Sequence, residues 1–217
     1  MKTRIISLAL GLFVFLIGHS QGFVNLNFED ATFVSDTSSG LYPYFVYSSN
    51  AIPGWTAYVG ESPVSEVLSN TISLSGGAVS IIGTNYVYPP IQGKYFMLLA
   101  GVNYTGNYTT AGIGQTGTIP SWAQSLTFWG YLHSGIVSFD GQALAVTQTG
   151  STPNYNIYSA DINAYAGLSG ELLFSTALRG TLTLDNIQFS SSPVPEPSAF
   201  YLSALGGLFL AWRRRKI

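Results

Sequence analysis

Few residues in this chain could make or break bonds. His133 is the one histidine outside the N-terminal segment, and it sits in Leu132-His-Ser-Gly135 beside an expected turn. A Ser-His-Asp triad would need that single imidazole to meet both a nucleophile and a carboxylate, and the body holds no Gly-x-Ser-x-Gly elbow to present the serine. Cysteine is absent, which excludes thiol catalysis, cysteine-zinc sites and disulfide staples. A glycosidase needs only two carboxylates, and Glu61, Glu66 and Glu171 are available. Nothing in their spacing singles out a pair, so no catalytic residue is expected and the chain reads as a non-enzyme.

Binding chemistry has better candidates. Glu29, Asp185 and Asn186 offer hard oxygen donors of the kind Ca²⁺ takes. The alternative reading is a hydrogen-bonded turn that closes a sheet. Tyrosines crowd the candidate loops, among them Tyr42, Tyr44, Tyr86, Tyr88, Tyr104 and Tyr108. Sugar rings stack their C–H faces on such rings while the phenol hydroxyl orients them; alternatively the rings cover the ends of the fold as core. Trp55, in Pro53-Gly-Trp-Thr56, is expected as a core anchor.

Charge narrows the partners further. Between Phe23 and Ser192 the cations are Lys94 and Arg179, against nine acids. Nucleic acid demands clustered lysine and arginine for its phosphates, so it is excluded as a partner. Cations and neutral sugars remain.

These residues need elements to position them. Only 8% of the 217 residues are charged and 14% are aromatic, with glycine abundant. Short strands joined by Gly/Pro turns fit that mixture, because β-branched and aromatic side chains pack well on a pleated sheet. Phe23–Phe28 alternates and predicts a strand with Val24, Leu26 and Phe28 inward. Further strands are expected at Trp55–Val59, Ala78–Ile82, Tyr95–Leu99, Ser125–Tyr131, Ile136–Phe139, Gln142–Thr147, Asn156–Asp161, Leu172–Ser175 and Thr181–Phe189, with a helical turn within Ala160–Ala166. Asp140-Gly141 predicts a two-residue hairpin turn with positive φ at both positions. Tyr95–Leu99 is apolar on both faces, as a central strand would be. The inward parity changes between Leu182/Leu184 and Ile187/Phe189, which predicts a β-bulge at Asp185-Asn186. The whole predicts an all-β fold, a β-sandwich or jelly roll. First and last strands often lie side by side in such sandwiches, which would bring Glu29 to Asp185 and Asn186.

The ends have their own chemistry. Met1–Arg4 is basic, Ile5–Ile17 is nearly all apolar, and small or polar residues come next. This is the layout of a secretory signal over residues 1–22, a signal helix cleaved after Ser20 or after Gly22. At the other end Pro195-Glu196-Pro197 precedes an apolar run, Ala199–Trp212, and then Arg213, Arg214, Arg215 and Lys216. Fourteen residues make a helix of about 21 Å. That is short for a ~30 Å hydrocarbon core, and snorkelling arginines could cover the gap. The positive-inside rule would keep the arginines cytoplasmic and the body outside.

Pro195-Glu196-Pro197, the short transmembrane helix and the arginine cluster, within residues 192–217, resemble a PEP-CTERM sorting signal. The resemblance implies an exosortase-type enzyme as partner, the inner membrane of a Gram-negative bacterium as attachment, and a place at the cell surface or in the extracellular matrix with exopolysaccharide. In the body, residues 23–191, Asn27-Phe-Glu29, Ile52-Pro-Gly-Trp55, Ile91-Gln-Gly-Lys-Tyr95, Asp161–Gly167 and Leu184-Asp-Asn-Ile-Gln-Phe189 resemble the bodies of PEP-CTERM proteins. Those are in turn similar to galactose-binding-like jelly rolls and carbohydrate-binding modules. The resemblance implies a structural calcium near Glu29, Asp185 and Asn186, and an adhesive, structural or polysaccharide-binding role.

Overall fold

The computed structural model describes residues 22–34, 44–71, 79–84, 89–101 and 108–194. They form an all-β architecture. In chain order the elements are β1 (Phe45–Tyr47), the one-turn helix α1 (Ser48–Ala51), β2 (Thr56–Val59), β3 (Ser62–Val64), β4 (Glu66–Ser69), β5 (Val79–Gly83), β6 (Tyr95–Ala100) and β7 (Ala111–Thr118). They continue with β8 (Ser125–Phe139), β9 (Gln142–Ala143), β10 (Val146–Ser151), β11 (Asn156–Asp161), a 3₁₀ turn (Asn163–Tyr165) and β12 (Ser169–Ser190).

Two long strands organise the rest. β8 and β12 pair antiparallel along almost their whole length, from Leu172↔Phe139 to Ser190↔Ser125. The first half of β12 also pairs with β7, which continues through β2 to β3. Its second half pairs with β6, which leads to β5, β4 and β1. The first half of β8 adds β11 and then β10. The ribbon is bent where its register shifts between Thr176 and Thr181. Ser134 and Arg179 take positive φ there, 59° and 65°. Gly180 sits in the bend because a Cβ would lie 2.8 Å from the Ser134 carbonyl oxygen and 3.0 Å from that of His133. Each strand thus runs out to the bend and back, and the two halves of the sheet face each other over one core.

Aromatic rings join the halves. Phe128 on outgoing β8 meets Phe174 on the other layer edge-on at 5.3 Å. Phe174 touches Trp55 at 6.2 Å, and Trp55 touches Phe28 at 5.7 Å. Trp55 is buried and its Nε1 donates to the Asn25 carbonyl oxygen at 3.1 Å, as expected of an anchor that must satisfy its indole.

Several expectations hold. Asp140 and Gly141 have φ of 47° and 76°. The register shifts between Asp185 and Gln188, with Asn186 at φ 47°, which is the bulge that the parity change required. β6 lies between β5 and β12, with Phe96, Met97 and Leu99 buried.

The expected first strand does not form. Residues 23–34 are irregular, with Asn25 and Phe28 at positive φ of 49° and 58° and Val24 exposed. The asparagines won over the alternation, because their side chains bond nearby backbone and tolerate the left-handed region. Asn25 Oδ1 accepts from Asp30 N at 3.2 Å, and its Nδ2 donates to the Pro53 carbonyl oxygen at 3.1 Å. Phe28 is nonetheless wholly buried, and Leu26 still reaches the last strand by accepting from Ile187 N at 2.9 Å.

Candidate functional site

At the bulge of β12, Asp185 pairs with Trp129, continues the row of Thr181 and Thr183, and is fully buried. Its Oδ2 accepts from Gln92 N at 2.8 Å and its Oδ1 from Asn186 N at 2.6 Å. Glu29 arrives from the irregular first segment, and its Oε1 accepts from Lys94 N at 2.7 Å and Tyr95 N at 3.1 Å. Two carboxylates therefore clamp the single loop Ile91–Lys94 by its backbone N–H groups. Gly93 makes this possible: it has φ 60°, and its missing Cβ leaves the space that the Glu29 carboxylate fills.

Burial pushes the Asp185 carboxyl up from 3.8 to about 7; the charge of Glu29 adds to this, and the N–H groups of Asn186 and Gln92 oppose it. Asn186 is not drawn into this pair, since its Oδ1 accepts from Gln188 Nε2 at 2.8 Å. Among the described residues no three acidic or histidine side chains converge as a metal site. The carboxylate oxygens that face the loop already hold N–H donors.

The clamped loop is one wall of a cleft of about 480 Å³. Pro89 and Ile91 stand on that side, and Pro153 and Asn154, from the turn before β11, on the other. The floor is the outer face of the sheet. Leu98, Thr183 and Tyr131 lie in one row across β6, β12 and β8, and Thr181 pairs with His133 in the next. Tyr131 and His133 stack with ring centroids 6.5 Å apart, and Tyr131 N donates to Thr183 Oγ1 at 2.8 Å. Sequence reasoning missed this site. A signal was present: in β8 the even positions Leu126 and Phe128 are core, so Trp129, Tyr131 and His133 form an aromatic row on the opposite face.

A second groove of about 380 Å³ lies on the outer face of the other layer. Tyr58 Oη donates to Glu171 Oε1 at 2.8 Å across β7, above Gly112 and Gly114. Burial raises the Tyr58 pKa, and the hydrogen bond to Glu171 and its charge raise it further. Glu61 lines the rim.

Of the six loop tyrosines, Tyr44 and Tyr108 are exposed. The Tyr108 ring is covered by the Arg179 guanidinium at 4.0 Å, beside the bend of the ribbon. Tyr42, Tyr86, Tyr88 and Tyr104 lie outside the described residues, as do Pro195, Glu196, Pro197, Arg213, Arg214 and Arg215. His133 lines the cleft, whose described lining residues include no carboxylate, and no described helix is long and apolar enough to cross a membrane.

The described chain leaves the body at Ser190–Val194, where Ser125 Oγ donates to the Ser192 carbonyl oxygen at 2.8 Å. Residues 193–216 match the PEP-CTERM protein-sorting motif. The motif implies export, sorting to the cell envelope of a Gram-negative bacterium and processing by an exosortase. A comparison with curated protein sequences gave no match. Among solved structures, the enzymatically active domain of tailspike protein 4 of bacteriophage CBA120 is similar at a TM-score of 0.38 and 19% identity, over 64% of this chain and 19% of that one. A likeness this low carries no argument about fold or activity.

Proposed function

We propose that this chain is an exported, non-enzymatic surface or matrix protein, and that its β-sandwich body, of galactose-binding-like jelly-roll type, works as an adhesive or structural module in exopolysaccharide. The sorting motif at residues 193–216 carries this reading. The acidic, cation-poor body supports it, since such a surface suits neutral polymer better than phosphate. The PEP-CTERM segment would hold the protein in the inner membrane until an exosortase acts on it. Intact mass and fractionation of the native protein test the reading. The expected result is a body outside the cell that has lost the chain beyond the Pro195-Glu196-Pro197 region. A full-length chain recovered from the cytoplasm would overturn it.

A carbohydrate-binding module is the second reading, favoured by the cleft over Tyr131 and His133. Proline and leucine side chains, a tyrosine–histidine stack and two threonine hydroxyls are what the C–H faces and hydroxyls of a neutral sugar would meet. Tyr131→Ala should abolish binding to a polysaccharide array while leaving thermal unfolding nearly unchanged; retained binding would exclude the cleft as a sugar site.

A structural calcium is the finer reading of Glu29 and Asp185. Two neighbouring carboxylates, one buried, are a place where a divalent cation would relieve repulsion. Those two carboxylates would hold it, with Asn186 outside the set, and it would supply only charge balance and rigidity to the loop.

A further inference from the structure

The most exposed large apolar side chains include Trp122, 56% exposed, and Leu168, 52% exposed. They lie on two loops joined by hydrogen bonds, Ile119 N to the Leu168 carbonyl oxygen at 3.0 Å and Gly167 N to that of Ile119 at 2.9 Å. Both ends of the described chain meet the body here. Gly22 bridges Thr118, immediately before these loops. Phe23 packs on Phe189 at 5.3 Å, and Gln124 N donates to the Ser190 carbonyl oxygen at 2.8 Å. The apolar segment Ala199–Trp212 thus follows from this end of the fold.

We propose that this end, through Trp122 and Leu168, rests in the headgroup region of the lipid bilayer that receives the C-terminal segment. The proposal rests on the reading of residues 199–212 as a membrane segment. Linker length keeps this end close to the bilayer. After Val194 only Pro195–Ser198 precede the apolar run, a reach of about 13 Å at ~3.3 Å per residue. The bend at Ser134 and Leu178 lies at the opposite end, about 23 Å away along the seven steps from Ser169 to Thr176. Leu178 is also exposed, at 60%, but no chain end leaves there.

The chemistry selects a lipid surface. An indole combines an apolar face with one N–H donor, which is why tryptophan is enriched at the membrane–water interface. The loops 119–124 and 162–168 contain no lysine or arginine, and Asp161 adjoins the second. The attraction is therefore apolar and needs no anionic lipid.

The chain has no cysteine, so single labels are clean. Full-length Ser121→Cys and Leu178→Cys proteins, each carrying an environment-sensitive fluorophore, are reconstituted in phosphatidylcholine vesicles with lipid-attached quenchers and no other protein. Quenching should be several-fold greater at position 121 than at 178. It should not rise when phosphatidylglycerol is added, and Trp122→Ser together with Leu168→Ser should reduce it without lowering the unfolding temperature. Equal quenching at both positions in vesicles that carry the protein would overturn the proposal alone. Protein that fails to float with the vesicles would overturn the membrane reading of the tail, and the proposal with it. Quenching at 121 that appears only in native membranes would assign the patch to a membrane protein partner instead.

Discussion

The two layers of the sheet each carry an acid on β12, and they hold it differently. In the first layer Glu171 lies half-buried on the outer face and accepts from the phenol of Tyr58. In the second, Asp185 is fully buried and, with Glu29 beside it, accepts from backbone N–H groups of the Ile91–Tyr95 stretch. These donors are a phenol and backbone amides rather than arginine or lysine side chains. A body with nine acids and two cations must hold its carboxylates by dipoles, and the buried Asp185 takes its hydrogen bonds from the backbone of Gln92 and Asn186. Backbone donors are not reserved for buried acids, since the exposed Asp161 accepts through Oδ1 from Asn163 N at 2.9 Å.

The contrast between the layers is most vulnerable at Gly93. Alanine there meets the Glu29 carboxylate and must also adopt φ 60°. Gly93→Ala should cost about 3 kcal/mol, read as a fall of roughly 6–12 °C in Tm. In a Glu29→Ala background, where the collision is gone, the same change should cost markedly less. A Gly93→Ala protein that melts like the parent would mean that the clamp does not hold the loop.

Much of this was legible. Asp140-Gly141 announced its turn, and the parity change announced the bulge after Asp185. Other elements were hidden for physical reasons. Ala111–Thr118 has three glycines in eight residues, which removes the alternation that marks a strand, although pairing on both sides with β2 and β12 holds it extended. Ser134-Gly135 and Arg179-Gly180 read as breaks between strands. They are bends within one ribbon, whose cross-strand bonds resume beyond them. The clamp was half visible: Glu29 and Asp185 were singled out in the sequence as neighbours, but what joins them is the backbone of Gln92, Lys94 and Tyr95. Backbone donors leave no trace in residue type. The cleft was hidden because its aromatic row sits on the outer face of a strand, where alternation marks only the buried face, and not on the tyrosine-rich loops.

The second test is pH. The folded Asp185 holds its proton up to about 7, against 3.8 for the ordinary group. Between those values the folded protein binds one more proton than the unfolded chain, so this group makes stability fall as pH rises from about 4 to about 7 and leaves it low above that. The loss should be about 2 kcal/mol, less than the full shift implies because water and structure relax around a buried charge. It is read as Tm against pH in EDTA. Asp185→Asn should flatten the profile. Calcium, if Glu29 and Asp185 hold it, should restore the parent's Tm near pH 7 by favouring the ionised form, and an unchanged profile in calcium would leave the loop clamp as their whole role.

The smallest effect belongs to the first layer. Tyr58→Phe removes one hydrogen bond to a half-exposed carboxylate and should cost roughly 1 kcal/mol, about 2–4 °C in Tm. In a Glu171→Gln background the loss should shrink, because a neutral amide accepts less strongly from the phenol than a carboxylate does. A coupling of about 1 kcal/mol, the whole of the loss, would mean that the phenol is held by the charge of Glu171 alone. A coupling near zero would leave Tyr58 as a wall of the 380 Å³ groove, with the polar hold confined to the buried layer.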